Sequence, residues 1–581
     1  MKLPTAHRIA LLFNGNKIYD RDIIAGIAAY LNTTRVSWDL FLEEDFRCRL
    51  PGIERWQGDG IIADFDDPAV CAALAHSRLP VVAVGGSYAR AEDYPAGIPY
   101  VATDNFKIVK LAYEHLVEAG LSRFACFSLP EADVNRWAQE RETAFCTLMQ
   151  RDHMRADVYR GVATSAPSWD EAVEQQIAWL NSLEKPVGII AVSDARARQL
   201  LQACMHAGIA AYLNTTRVSW DLFLEEDFRC RLPGIERWQG DGIIADFDDP
   251  AVCEALAHSR LPVVAVGGSY ARAEDYPAGI PYVATDNFKI VKLAYEHLVE
   301  AGLTRFACFS LPEADVNRWA QERETAFCAL MERDHMRADV YRGVATSAPS
   351  WDEAVEQQIA WLNSLEKPVG IIAVSDARAR QLLQACMHAG IAVPEQVALI
   401  GIDNDPLARM LTRIPLSSVI QGTEEMGRTA AHLLHQMLNG ARLSGTRILV
   451  PPAGLNVLAS TRHQPFQHPQ VMQARHFIRQ YACQGIKTEQ VADYVGVSRS
   501  SLEAHFRHEL GRSVHDEILH FKLDAAKTLL ARGPGQVAEV AVRCGFTTVQ
   551  YMHAVFKREL GCTPREFQQR SRPPPAPGQA P

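Results

Sequence analysis

The chain has 581 residues, 48% of them hydrophobic and 22% charged, which is enough to bury several cores. Its net charge of −10 argues against a general nucleic-acid coat, and no apolar run approaches the roughly 18 residues of a membrane span. Thirteen cysteines, an odd number without a Cys-x-x-Cys pair, suit reduced thiols in a cytoplasm.

Apolar runs at 8–13, 38–42, 60–65, 80–86, 123–129, 188–193 and 397–403 are near-continuous in Val, Ile, Leu, Ala and Phe, as buried parallel strands are. Amphipathic stretches between them, such as 106–119 and 170–183, predict helices. The alternation predicts βαβ units with right-handed crossovers, hence a doubly wound α/β fold in two lobes. The run 8–13 is too short for a signal peptide and reads as the first strand.

Residues 25–206 recur as 207–388, at an offset of 182. Four positions differ: Ala72/Glu254, Ser122/Thr304, Thr147/Ala329 and Gln150/Glu332. Ala-Gly-Ile-Ala at 25–28, 207–210 and 389–392 marks both joints. The period is far too long for a solenoid unit, and the joints fall inside helices. This is a tandem duplication within one domain, either a recent genetic event or a join made in assembling the gene. The expected organisation is a first sensor copy at 1–206, a second at 207–388, a closing segment at 389–463, a helical domain at 469–569 and a Pro-rich disordered tail at 570–581. The first strand and the final strands exist once, so both copies cannot form complete domains. Short loop closure places the first strand with copy one and the final strands with copy two.

The helical end carries two helix-turn-helix units, at 488–508 and 536–560. Each has a small residue, a Gly four places later and then an apolar residue: Ala492, Gly496, Val497 and Ala541, Gly545, Phe546. The small residue lets helices approach, the Gly takes the left-handed turn, and the apolar residue plugs the corner. The second helix of each unit is then free for a DNA major groove. Residues 465–581 hold 15 Lys+Arg against 10 Asp+Glu, a net +5, which leaves −15 on the remainder. Only this end suits phosphate. Candidate base contacts are Arg499, Ser500, Ser501, Glu503 and His505 in the first unit, and Thr547, Thr548, Gln550 and His553 in the second. Arg507, Lys557 and Arg558 suit phosphate.

Two such units, with Leu502, Phe506, Lys522, Leu523, Ala526, Leu530, Phe556, Lys557 and the closing Gly561, Thr563, Pro564 and Phe567, resemble the AraC/XylS family over about 469–569. Ala504 and Ala554 stand where that family often has a basic residue. The α/β body resembles the periplasmic-binding-protein-like effector domain of LacI-type repressors, which close two lobes on a small molecule. A sensor of that kind followed by a C-terminal AraC-type domain resembles the xylose operon regulators. Local text such as LLFNGNKIYDRDI at 11–23, DGIIADFDD at 59–67 and GIIAVSDARARQLLQ at 188–202 carries the match. The resemblance implies a cytoplasmic, D-xylose-responsive, dimeric activator of xylose uptake and catabolism genes. Its implied partners are promoter double-stranded DNA, the sugar and RNA polymerase. Another pentose as effector, or a sugar carrier without a DNA role, are the alternatives.

Sugars are held by paired hydrogen bonds from Asp, Asn and Arg and by aromatic faces. Strand ends supply the candidates: Tyr19 and Asp20 after the first strand, Asp64 after the third, Tyr88 after the fourth, then Trp137, Arg141, Asp194 and Arg196. The second copy repeats the later ones as Trp319, Arg323, Asp376 and Arg378, and the closing segment adds Asp403 and Asn404. Helix capping is the competing role for Asp194 and Asp403. No Gly-x-Ser-x-Gly, Walker loop or His-Glu-x-x-His occurs, so no enzyme is expected. His505, His508, His515 and His520 have no zinc spacing, and no metal or cofactor is expected.

Overall fold

A computed structural model describes residues 7–15, 17–33, 38–42, 50, 52–85, 95–132, 135–161, 169–206, 235, 240–267, 277–314, 317–344, 351–443, 445–462, 468–531 and 537–570. The first copy contributes strands β1 (His7–Leu12), β2 (Trp38–Phe41), β3 (Gly60–Asp64), β4 (Val81–Val84), β5 (Tyr100–Val101), β6 (Phe124–Phe127), β7 (Asp157–Tyr159) and β8 (Gly188–Ala191). The second copy gives β9 (Ile243–Asp246), β10 (Val263–Val266), β11 (Tyr282–Thr285), β12 (Phe306–Phe309), β13 (Asp339–Tyr341) and β14 (Val369–Ala373). The closing segment adds β15 (Val397–Ile402), β16 (Ser417–Ile420), β17 (Arg447–Val450) and β18 (Gly454–Asn456).

Four sheets result. The first copy makes a five-stranded sheet, β2-β1-β3-β4-β5, and a three-stranded one, β7-β6-β8. The second copy makes β17-β11-β10-β9 and a six-stranded sheet, β13-β12-β14-β15-β16-β18. All pairings are parallel except β16 with β18. The architecture is therefore doubly wound α/β, with its strands where the apolar runs lie. The short strands β5, β7 and β16–β18 escaped the sequence reading because they are brief or polar, as in Ser417-Ser418-Val419-Ile420.

The consequence of the duplication is visible strand by strand. β15 pairs with β14, and β17 pairs with β11, so both second-copy strands are buried throughout or nearly so. Among the described residues their first-copy twins β8 and β5 have no such neighbour. Tyr100 and Val101 are 48% and 64% exposed, whereas Tyr282 and Val283 are 6% and 0% exposed. One amino-acid sequence thus takes two burial states, and the difference is set by a segment present once.

The first N-terminal lobe docks on the six-stranded lobe. Trp351 meets Phe41 edge-on at 5.1 Å, within the core that also holds Ile53, Trp56 and Phe65. Arg380 donates to the carbonyls of Leu40 and Leu42, His388 contacts Asp39 at 2.7 Å, and Arg21 meets Asp405 at 2.6 Å.

The C-terminal domain, among the described residues, has helices Pro469–Tyr481, Thr488–Val495, Arg499–Leu510, Val514–Ala531, Val537–Arg543, Val549–Leu560 and Pro564–Arg570. Two cores flank the long helix: Val471, Ile478, Val491, Leu502 and Phe506 on one side, Val540, Phe546, Met552 and Phe556 on the other. Buried Glu395 of the sensor receives Arg479, and Arg475 spans Glu395 and the fully buried Glu517. No helix among the described residues is long and apolar enough to cross a membrane.

Candidate functional site

A cavity of about 240 Å³ opens between the second-copy N-terminal lobe and the six-stranded lobe. The former supplies Asp248, Gly267, Ala284 and Thr285 from the ends of β9, β10 and β11. The latter supplies Trp319, Arg323, Asp403 and Gln421, and Met426 comes from the helix Thr423–Leu438, which packs on the second-copy N-terminal lobe. Strand carboxyl ends converge here, the usual ligand position in open α/β sheets. Gly267 is required by geometry: its φ is 73°, and a Cβ would lie 2.5 Å from Asp248 Oδ2.

Arg323 organises the wall. It is 4% exposed, with Nε donating to Asn287 Oδ1 at 2.8 Å and Nη1 to the Val374 carbonyl at 2.5 Å. Its guanidinium stands 4.9 Å from the Trp319 ring centre and 3.6 Å from Asp403 Oδ1. Asp403 also accepts from Gln421 Nε2 at 2.5 Å. Asp403 and Asn404 have φ of 119° and 57°, left-handed values that cost free energy and re-aim the chain after β15. Asn404 is held by Ser418 Oγ and by Asn456, and it does not line the cavity.

Asp376 lies behind this wall. It is 0% exposed, accepting from Ser418 Oγ at 2.6 Å and from the Asp405 amide at 2.7 Å. Burial, followed by the charges of Asp403 and Asp405, pushes its carboxyl up to about 8. It positions the Asp403–Asp405 turn rather than facing the cavity. Arg378 is likewise turned inward, bonded to Gln381 and 6.0 Å from the Phe309 ring. Arg196 repeats that arrangement with Gln199 and Phe127. Ser375 caps its helix by accepting from the Arg378 amide.

The first copy gathers the complementary half. Asp20 is buried and accepts from the Asn14 amide at 2.6 Å. Asp64 accepts from the Asp66 amide and lies 3.9 Å from Lys17 Nζ. Burial and then the Asp20 charge push its carboxyl up to about 7. Tyr19 hydrogen-bonds Thr103 and feels Asp66, Asp64 and Asp20, while burial raises its hydroxyl. Trp137 and Arg141 pair at 5.0 Å, and Arg141 donates to Asn105 and the Val192 carbonyl. Asp194 is exposed. Tyr88 and its twin Tyr270 lie outside the described residues. The candidates therefore fall into two groups: first-strand residues beside copy one, and closing-segment residues beside copy two. Thr285, Gln421 and Met426 escaped the sequence reading, although Thr285 and Gln421 each stand at a strand end.

In the helical domain Gly496 and Gly545 take φ of 75° and 70° at the two corners. A Cβ on Gly545 would lie 2.4 Å from the Cys483 carbonyl oxygen, so no other residue fits without movement. Ser498 and Thr548 cap the two second helices, accepting from the Ser501 and Tyr551 amides. Leu502 and Phe506, and Met552, Val555 and Phe556, face the cores. Arg499, Ser500 and Arg507 are exposed on the first of these helices, and Thr547, Thr548, Gln550, Lys557 and Arg558 at the second. Arg499 pairs with Glu489 and Arg558 with Glu559. Ser501 and His553 are half-buried. Glu503 and His505 are turned inward: Glu503 accepts from the Val514 amide, and His505 stacks on His468 at 4.3 Å. Exposed Ala504, Tyr551 and Ala554 complete the outward faces, and Tyr551 escaped the sequence reading. No group of His, Cys, Asp and Glu among the described residues could hold a metal ion.

A family model for the XylR N-terminal domain matches residues 8–106 and again 189–288. One for a periplasmic binding protein-like domain matches 113–211 and 295–461, and one for a helix-turn-helix domain matches 491–570. The second N-terminal match begins at 189, placing β8 where β1 stands in the first; in the structure β8 pairs with β6. The chain is 46% identical over 360 residues to the xylose operon regulatory protein of Escherichia coli (strain K12), covering 62% of this chain and 92% of that protein. The Haemophilus influenzae protein of the same name is 45% identical over 360 residues, covering 62% and 93%. A solved structure of the xylose-binding transcription activator xylR is 35% identical with a TM-score of 0.54, covering 77% of this chain and 97% of that one. The chain belongs to the family of xylose operon regulatory proteins, transcription regulators that join a periplasmic-binding-protein-like sensor to a C-terminal helix-turn-helix domain.

Proposed function

We propose that the chain is a cytoplasmic, D-xylose-responsive activator of xylose uptake and catabolism genes. The observation that carries this reading is the cavity where Trp319 offers an aromatic face beside Arg323, Asp403, Gln421 and Asp248. A pentose ring stacks on Trp319, and its hydroxyls exchange hydrogen bonds with the charged and amide groups. Arg323 is already fixed by Asn287 and Val374, so little side-chain entropy is lost on binding. The sugar joins both lobes and shifts the population towards the closed state. Its effect on DNA affinity equals its preference between the two states.

The two recognition helices of one chain enter successive major-groove turns, about 10 base pairs apart. Arg499, Ser500, Thr547, Thr548 and Gln550 read bases, while Arg507, Lys557 and Arg558 meet phosphate. A homodimer reads two such half-sites and contacts RNA polymerase. Binding of promoter DNA by the full chain, with and without D-xylose, beside a shortened chain lacking 207–388, tests this. The expected result is tighter binding with D-xylose in the shortened chain, and a weaker response in the full chain because its site residues are split. DNA binding that responds to another pentose instead would overturn the effector. Loss of all specific DNA binding would overturn the regulator.

A further inference from the structure

Cys483 sits in the turn Ala482–Gln484 that leads into the first helix-turn-helix unit. Cys544 follows the helix Val537–Arg543 that opens the second. The two thiols are in hydrogen-bond contact, with Cys544 donating to Cys483. The backbones are equally close, since a Cβ on Gly545 would lie 3.1 Å from the Cys483 Cα. Lys522 reaches the same junction and donates from Nζ to the Gly545 carbonyl at 2.9 Å.

Cys483 differs from the buried cysteines, and also from Cys544, whose thiol is raised well above its usual range by the hydrogen bond it donates to Cys483 and by burial. Burial pushes the Cys126 and Cys386 thiols up to about 12, which leaves them inert. At Cys483 the Cys544 hydrogen bond and the Lys522 charge outweigh burial and hold the thiol below its usual range. Cys483 is also half-buried rather than sealed, so a small oxidant reaches it. Neither cysteine takes part in the cavity or in the outward faces of the recognition helices.

We propose that Cys483 and Cys544 form a reversible disulfide under a hydroperoxide, stapling the two helix-turn-helix units together and weakening DNA binding. The Cys483 thiolate attacks one peroxide oxygen; the O–O bond breaks and a sulfenic acid forms. The departing hydroxide takes the proton that Cys483 released and leaves as water. Cys544 sulfur then attacks Cys483 sulfur, the S–O bond breaks, and the leaving hydroxide takes the Cys544 proton as a second water. Two thiols lose two electrons and hydrogen peroxide becomes two waters. An external dithiol reverses the bond by exchange.

The staple acts on DNA through geometry. It fixes the turn before one unit to the end of the first helix of the other, so the angle between the recognition helices cannot adjust to the duplex. The experiment treats the full chain with hydrogen peroxide, alkylates remaining thiols and maps peptides, while operator binding is read by fluorescence anisotropy. A joined Cys483–Cys544 peptide pair, lighter by two hydrogens, is expected. DNA affinity falls about fivefold or more, within the range of ordinary allosteric coupling, and dithiothreitol restores it. Cys483→Ser should keep its affinity in peroxide. Cys544→Ala is the second variant, and the melting midpoint of each checks folding. Absence of the joined peptides overturns the site. Joined peptides with unchanged affinity, or an equal peroxide loss in Cys483→Ser, overturns the control of DNA binding.

Discussion

The Ser418 hydroxyl donates to Asp376 Oδ1 at 2.6 Å, and Asp376 is fully buried, whereas Asp194, the same residue of the first copy, is exposed. The Ser418 bond belongs to a strand that only the second copy pairs with through β15. Ser418→Ala leaves the buried Asp376 carboxyl without one of its hydrogen-bond partners and should cost about 1–3 kcal/mol. Asp194→Ala should change stability by no more than about 0.5 kcal/mol, as surface changes do. Urea denaturation of both variants checks this; equal shifts in midpoint would contradict the assigned environments.

Asp64 gives a pH dependence with a definite sign. Its carboxyl is pushed up to about 7 in the folded chain, from 3.8. Between those values the folded chain holds a proton that the unfolded chain has lost. Stability is therefore fully present below about pH 4, falls as pH rises to about 7 and is level above. Asp376, pushed up to about 8, acts in the same direction over a slightly wider window. Asp64→Asn keeps the acceptor for the Asp66 amide and removes the charge. It should raise the melting midpoint near pH 8, worth about 1–4 kcal/mol, and leave it unchanged near pH 4. A pH-independent difference would count against the buried carboxylate as its source.

The cavity makes an asymmetric prediction. Trp319→Ala or Arg323→Lys should weaken D-xylose binding about tenfold or more, equivalent to about 1.4 kcal/mol. Lys cannot reproduce the planar fork that Arg323 uses on Asn287 and Val374. Trp137→Ala and Arg141→Lys, identical changes in the first copy, should alter affinity less than about twofold, since Asp403 and Gln421 are absent from that cluster. Calorimetric titration of the four variants decides it. The reverse ranking would move the working site to the first copy.

Among the described residues β5 is an open edge, where its twin β11 is paired by β17. Open edges with apolar residues recruit other chains. Val101→Lys should lower concentration-dependent self-association in sedimentation velocity and leave the melting midpoint almost unchanged. Val283→Lys buries the same charge in a paired strand and should destabilise by more than about 3 kcal/mol. Association that is indifferent to Val101→Lys would place the contact elsewhere.

Base and phosphate contacts separate by salt. Gln550→Ala should cost about 1–3 kcal/mol on the cognate site and relax one base position. Lys557→Ala should weaken all sequences alike and reduce the salt slope by about 1. Anisotropy titrations across ionic strengths on matched and scrambled DNA distinguish the two behaviours.

Much was legible in residue order. Continuous apolar runs located β1, β3, β4, β6 and β15, because parallel strands are buried on both faces. Gly496 and Gly545 marked the two helix-turn-helix corners, because each needs a positive φ. Capping Ser498 and Thr548 were harder to see, since their neighbours Ser500 and Thr547 are equally polar. The inward turns of Glu503, His505 and Arg378 were not legible, because each is decided by a partner distant in sequence or by a ring against which it packs.

The sequence by itself determined the fold class, the tandem helix-turn-helix units and the residue types at every strand end, because those follow from local pattern and spacing. Loop closure already favoured joining the first strand to copy one and the closing strands to copy two, as the pairings show; tertiary structure alone decided how burial then divides between identical residues. Copies of nearly identical sequence carry the same local instructions, and a single closing segment can complete only one pair of sheets. Asp376 is buried and Asp194 is exposed for that reason: burial is set by the strands that pair alongside, not by the residue or its neighbours in the chain.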